Sequence, residues 1–211
     1  MKANMKYVYE FIGTFFLVFT VGMTVLNPNG AELWAPLAIG SILAVMVFAG
    51  GHISGGHYNP AVSFAAFLRK KLNLNNLGIY WAVQLAAGVI AALTTLYLKG
   101  PQVVATPLEP DYAKALLVEF LFTFALCYVV LNVATTKATS GNSYFGWAIG
   151  FTVLAGAYSV GAISSGAFNP AVALGLAVMK LGHWSNLWIY VVANLLGGAA
   201  AAYVVNAAAP E

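Results

Sequence analysis

The sequence predicts an all-α membrane protein: six transmembrane helices plus two re-entrant half-helices, arranged as an inverted repeat within one domain over residues 1–211. Three observations carry that reading. Hydrophobic residues make up 61% of the chain and charged ones only 7%, too little polar surface to cover a water-soluble globule of 211 residues. Six apolar stretches are long enough to cross a bilayer, and two more are about half that length. One set of residues recurs halfway along the chain at a nearly constant offset.

The long stretches fall at approximately residues 7–26, 34–52, 77–98, 113–134, 144–162 and 185–207. Each holds about 20 residues, the number that a helix rising 1.5 Å per residue needs to cross about 30 Å of hydrocarbon. Pro60 to Leu68 and Pro170 to Met179 hold about ten residues each and reach only about 15 Å as helix, so they dip in and return. Lys2 and Lys6 precede the first span without a small-residue cleavage pattern behind it, which predicts a retained span and no separate soluble domain. Cys127 stands alone in an apolar run and reads as a small packing residue.

Two spans, a half-helix and a third span are followed, after the polar connection around Lys99 to Lys114, by the same order again. Ala38-Ile39-Gly40 returns as Ala148-Ile149-Gly150 and Asn59-Pro60-Ala61-Val62 as Asn169-Pro170-Ala171-Val172. Tyr80, Gln84 and Gly88 return as Tyr190, Asn194 and Gly198, all at an offset of 110. Glu10-Phe11 with Thr14 returns as Glu119-Phe120 with Thr123, at 109. The copies cover approximately 1–105 and 106–211. Three spans per copy is an odd number, so the second copy must start from the opposite side of the membrane. Basic residues prefer the cytoplasmic flank. An inside N-terminus puts Lys2, Lys6, Arg69, Lys70, Lys71 and Lys137 there, against Lys99, Lys114 and Lys180 outside, which predicts both termini in the cytoplasm.

The chemistry concentrates in two loops, 50–61 and 161–171, each read as extended backbone that descends into the membrane and then starts a helix. Asn is a favoured N-cap and Pro a favoured first helical residue, because the Asn oxygen accepts from an open backbone amide while Pro has no amide to leave unpaired. Asn59 and Asn169 then keep their NH2 groups for donation into a pore. Non-helical backbone at membrane depth is tolerated where it is buried in protein or lines a wet cavity, and there its carbonyls offer acceptors to a solute. Inversion brings both half-helix N-termini to the midplane, each with roughly half a positive charge from its macrodipole, which repels cations.

These residues carry a resemblance. Ser54-Gly55-Gly56-His57-Tyr58-Asn59-Pro60-Ala61-Val62, Ser165-Gly166-Ala167-Phe168-Asn169-Pro170-Ala171-Val172 and the Glu-plus-Thr pairs opening spans one and four are similar to those of the aquaporin, or major intrinsic protein, family. The resemblance covers essentially the whole chain. It implies an aquaporin-like fold, a passive pore inside each subunit for water and small uncharged solutes such as glycerol, urea or ammonia, exclusion of protons and ions, and a homotetramer in the cell (inner or plasma) membrane. Such pores select by diameter, hydrogen-bonding lining and half-helix dipoles, a scheme adopted here as known. A water held by both Asn donors breaks the chain along which protons hop.

In the family a narrow filter usually includes an Arg directly after the second Asn-Pro-Ala. The resemblance is to a bacterial-type member of the family, with Val172 standing in place of that Arg. At family spacing the other filter positions map to Ile39, Ala157 and Gly166. The four make an apolar and wide constriction that discriminates by size more than by hydrogen bonding. Such apolar walls can also dewet, which would instead give a slow or gated pore.

Glu10 and Glu119 are intramembrane acids, and such residues are candidates for proton carriage. The resemblance implies instead that each accepts hydrogen bonds from the descending loop of its own half, with His52 and His57 beside it as loop support. Either His can line the cytoplasmic vestibule and respond to pH, or serve as a satisfied loop residue. Gln84 and Asn194 read as interhelical hydrogen-bonding residues beside the small Gly88, Gly197 and Gly198. His183 has no carboxylate or cysteine at ligand spacing, so no metal is expected, and no cofactor. Dispersed bases with a net charge of +3 argue against a nucleic-acid partner, leaving lipid, water and neutral solutes. An ion-coupled secondary transporter using Glu10 and Glu119 is the competing reading, since transporters share inverted repeats and broken helices. An enzyme would need a nucleophile with a base, paired carboxylates or a metal set, and the sequence presents none of these.

Overall fold

The computed structural model describes residues 4–27, 32–101 and 105–209, and Lys2 and Glu211 lie outside them. Among the described residues eight α-helices follow one another: α1 Met5–Val25, α2 Ala35–Ser54, α3 Pro60–Leu68, α4 Leu74–Lys99, α5 Tyr112–Thr135, α6 Phe145–Ser164, α7 Pro170–Val178 and α8 Leu187–Ala208. Six of them are long and apolar enough to cross a membrane, and α3 and α7, nine residues each, are the half-length pair. No strand occurs among the described residues.

The helix ends follow local chemistry. Asn59 and Asn169 are extended (φ −158° and −160°), and their side chains accept from the amides of Ala61 at 2.8 Å and Ala171 at 2.9 Å. Pro60 and Pro170 then start α3 and α7. Asn73 caps α4 through the Asn76 amide, and Asp111 caps α5 through those of Ala113 and Lys114. At the other ends, α2 and α6 stop at residues in the left-handed region, Gly55 (φ 92°) and Ser165 (φ 68°).

Those stops correct the loop boundaries. The glycines at 50 and 51 suggested extended chain from Gly50 onward, yet α2 runs on to Ser54, and the loops are only residues 55–59 and 165–169. Gly50 lies inside α2, and a Cβ there would strike the Tyr58 hydroxyl, so this glycine makes room for the tyrosine and does not break the helix. His52 therefore sits in the last turn of α2 with an exposed side chain, outside the loop to which the sequence had assigned it.

Within each half the first span packs on the second and the last, α1 on α2 and α4, and α5 on α6 and α8. The halves then interlock. The half-helix α3 packs on α8, α7 packs on α4, and α2 meets α6. Glycine permits the crossing: a Cβ on Gly88 would lie 2.7 Å from the Ala171 carbonyl oxygen, and one on Gly198 would lie 2.9 Å from that of Ala61. The last span of each repeat thus touches the Asn-Pro-Ala of the other.

Arg69 differs from its reading as a flanking charge. It is buried at the C-terminus of α3, where a cation suits the helix dipole, and its Nη1 donates to Asn206 Oδ1 at 2.8 Å. Its Nε donates to Thr135 Oγ1 at 3.3 Å, which ties the half-helix to α5 and α8.

Candidate pore

Each loop is held by one buried carboxylate that accepts four hydrogen bonds. Glu10 Oε1 accepts from Ser54 Oγ (2.7 Å) and the His57 amide (2.9 Å), and Oε2 from the Tyr58 amide (2.7 Å) and Gln84 Nε2 (2.8 Å). Glu119 repeats the pattern with Ser164 Oγ (2.7 Å), the Ala167 and Phe168 amides (2.9 and 2.7 Å) and Asn194 Nδ2 (2.9 Å). Donors from the loop backbone, the end of the preceding helix and the last span of the half fill both oxygens of each acid. Both side chains are fully buried, and neither borders the cavity described below. Their geometry fits loop support and leaves no open oxygen for proton relay.

The loops need that support. Tyr58 and Phe168, immediately before the two Asn residues, adopt φ of 49° and 48°, a left-handed conformation that costs a bulky residue about 1–3 kcal/mol. The turn points the Tyr58 and Phe168 carbonyls across the molecule. Asn59 Nδ2 donates to the Phe168 oxygen at 2.8 Å, and Asn169 Nδ2 to that of Tyr58 at 2.9 Å. A carboxamide NH2 has two protons. One is therefore spent between repeats, and one per Asn remains for the pore, half of what the sequence alone had offered.

A cavity of about 340 Å³ runs from Ala35, Pro36 and Thr106 at one end of α2 down to Asn59, Asn169 and His57. Ile39, Ala157, Gly166 and Val172 all border it, so the four mapped filter positions converge on one space. Among the described residues that line it, none is Asp, Glu, Lys or Arg. Polar groups come from the Asn amides, His57, Thr106, Ser165 and the loop backbone. His52 is not among the lining residues, whereas His57 is. No group of three or more His, Cys, Asp or Glu suited to a metal occurs among the described residues.

Some participants escaped the sequence reading. Tyr80 and Tyr190 donate their hydroxyls to the Ser54 and Ser164 carbonyls at 2.7 and 2.8 Å, locking the end of α2 and of α6. Ser164, not Ser165, is the counterpart of Ser54, since both serines bond the acid of their own half. The offset of 110 was the available signal for these pairs, and for Tyr58 with Phe168.

Two half-helices capped head to head around an uncharged cavity, inside six membrane-length helices, define a passive pore for neutral molecules. Comparison with known proteins agrees. The family model described as Major intrinsic protein matches residues 1–205. Nodulin-26 of Glycine max is 34% identical over 209 residues, covering 95% of this chain and 76% of that protein. Aquaporin NIP1-1 of Oryza sativa subsp. japonica is 34% identical over 210 residues, covering 95% and 73%. The X-ray structure of the aquaglyceroporin from Plasmodium falciparum superposes with a TM-score of 0.80 at 21% identity, over 98% of this chain and 96% of that one, which establishes the shared fold. The chain belongs to the major intrinsic protein family. It is a passive channel for water and small solutes, an integral membrane protein and not an enzyme, and the ion-coupled alternative is not favoured. Both relatives named are plant proteins, so the expected bacterial type draws no support from them.

Proposed function

We propose that this channel passes uncharged solutes larger than water, of the size of urea and glycerol, together with water and ammonia, and that it excludes protons and ions. The observation that carries the proposal is the composition of the constriction. Ile39, Ala157, Gly166 and Val172 bring only apolar side chains or none, where an Arg is usual in the family. A guanidinium would narrow the space and supply a fixed charge with several donors. Without it, size and wall apolarity govern entry, and cation exclusion falls to the dipoles of α3 and α7 with the remaining donor protons of Asn59 and Asn169.

The same reading places both termini in the cytoplasm and the protein in the cell (inner or plasma) membrane, from the six-to-three distribution of flanking bases. It assigns the subunits to a homotetramer with one pore each, the arrangement implied by the family.

Stopped-flow light scattering on proteoliposomes tests the solute range. The expected result is glycerol and urea flux well above that of empty vesicles, with no proton leak under a pH gradient. Vesicles that pass water and show no excess solute flux refute the proposal.

A further inference from the structure

The repeats agree in how they hold their loops and differ in what they offer the pore. His57 borders the cavity beside Asn59, and 110 residues on its counterpart is Ala167, also at the cavity. Ser63 has Ala173 as its counterpart, and Gln84 has Asn194, one methylene shorter. These three exchanges lie on one hydrogen-bond chain. Gln84 Nε2 donates to Glu10 Oε2 at 2.8 Å and to Ser63 Oγ at 2.9 Å, and Ser63 Oγ is 3.1 Å from His57 Nδ1. In the second repeat the shorter Asn194 reaches Glu119 and Thr123 instead, and no imidazole follows.

The protons fix the direction of the chain. Both N–H protons of Gln84 are used, one on the carboxylate and one on Ser63, and the flipped amide would press its oxygen against Glu10. Ser63 Oγ thus accepts from Gln84, and its single proton is left for His57 Nδ1. A neutral imidazole that accepts at Nδ1 carries its proton on Nε2. The ring plane is set as well, by an edge contact with Tyr80 at 5.3 Å between centroids, and the His57 backbone amide is anchored on Glu10.

We infer that Glu10, Gln84 and Ser63 are positioning residues that hold His57 as its Nε2–H tautomer, making the ring a further hydrogen-bond donor to the permeating molecule on the first-repeat side of the Asn pair. An oxygen leaving Asn59 and Asn169 on that side meets another donor. On the other side the matching position is the methyl of Ala167. The inference rests on the cavity being the permeation path.

Nitrogen-15 solid-state spectra of histidine-labelled protein in vesicles report the tautomer, with the His57 signals assigned by their loss in His57→Gln. The unaltered protein is expected to show a bare Nδ1 and a protonated Nε2. Ser63→Ala is expected to release the ring to the other tautomer or a mixture, and Ser63→Thr, which keeps the hydroxyl, to restore it. In the water-flux assay His57→Leu is expected to lower permeability about two- to tenfold, the size of one lost neutral hydrogen bond, while His57→Gln, which keeps an N–H donor, retains most of it. A protonated Nδ1 in the unaltered protein, or a ring unmoved by Ser63→Ala, overturns the positioning. Unchanged flux in His57→Leu overturns the donor role. Absence of water flux from the unaltered protein would instead sink the permeation reading, and the nitrogen spectra would still decide the tautomer.

Discussion

The carboxamide of Asn59 donates to the carbonyl of Phe168 at 2.8 Å, across 109 residues of chain. With its mirror bond from Asn169 to Tyr58, it closes the two repeats on each other at the point where the half-helices begin. Asn59→Ala removes this bond and the cap on Ala61 together. It is expected to cost about 1–3 kcal/mol of stability, read as a lower midpoint of thermal unfolding in detergent. Asn169→Ala should match it, and a variant that melts with the unaltered protein would show that the crossing is incidental.

Gly88 tests the interlock of the halves. Its missing Cβ would lie 2.7 Å from a backbone oxygen of Ala171, which cannot rotate away. Gly88→Val is expected to lose about 1–3 kcal/mol or more and to reduce folded yield, measured by size-exclusion profile and thermal unfolding. Gly78, on the same helix, has nothing within 4 Å of a built Cβ. Gly78→Ala should be neutral or stabilising by up to about 1 kcal/mol.

Glu10 separates support from transport. Gln at this position offers one acceptor oxygen to four donors and turns its own NH2 toward some of them. Glu10→Gln is expected to destabilise by about 2–5 kcal/mol, while residual water flux per folded protein stays independent of any proton gradient. Stability equal to that of the unaltered protein, with a lost gradient-driven flux, would reinstate the carrier reading.

Val172→Arg restores the residue usual in the family at the constriction. Glycerol and urea flux is expected to fall relative to water by about tenfold or more, the order of discrimination that one changed pocket contact produces. Unchanged ratios in the vesicle assay would mean that Val172 does not border the narrowest point.

Much of the fold was legible because its signals are local. Span length follows from hydrophobic runs, and α3 begins at Pro60 and α7 at Pro170 because Asn is a favoured cap and Pro a favoured first helical residue. The recurrence at 110 residues disclosed the repeat, and an odd number of spans per copy required its inversion. Chain order does not encode which groups meet. That position 50 has no room for a Cβ depends on a tyrosine hydroxyl eight positions on, arriving from a folded-back loop. Arg69 is buried because α5 and α8 close over it with Thr135 and Asn206. The sequence by itself determined the helices and the duplication, and it named the candidates for the pore. Only the tertiary structure decided which amide proton crosses between repeats and which stays for the solute, because a donor's last proton depends on the distances to every other acceptor around it.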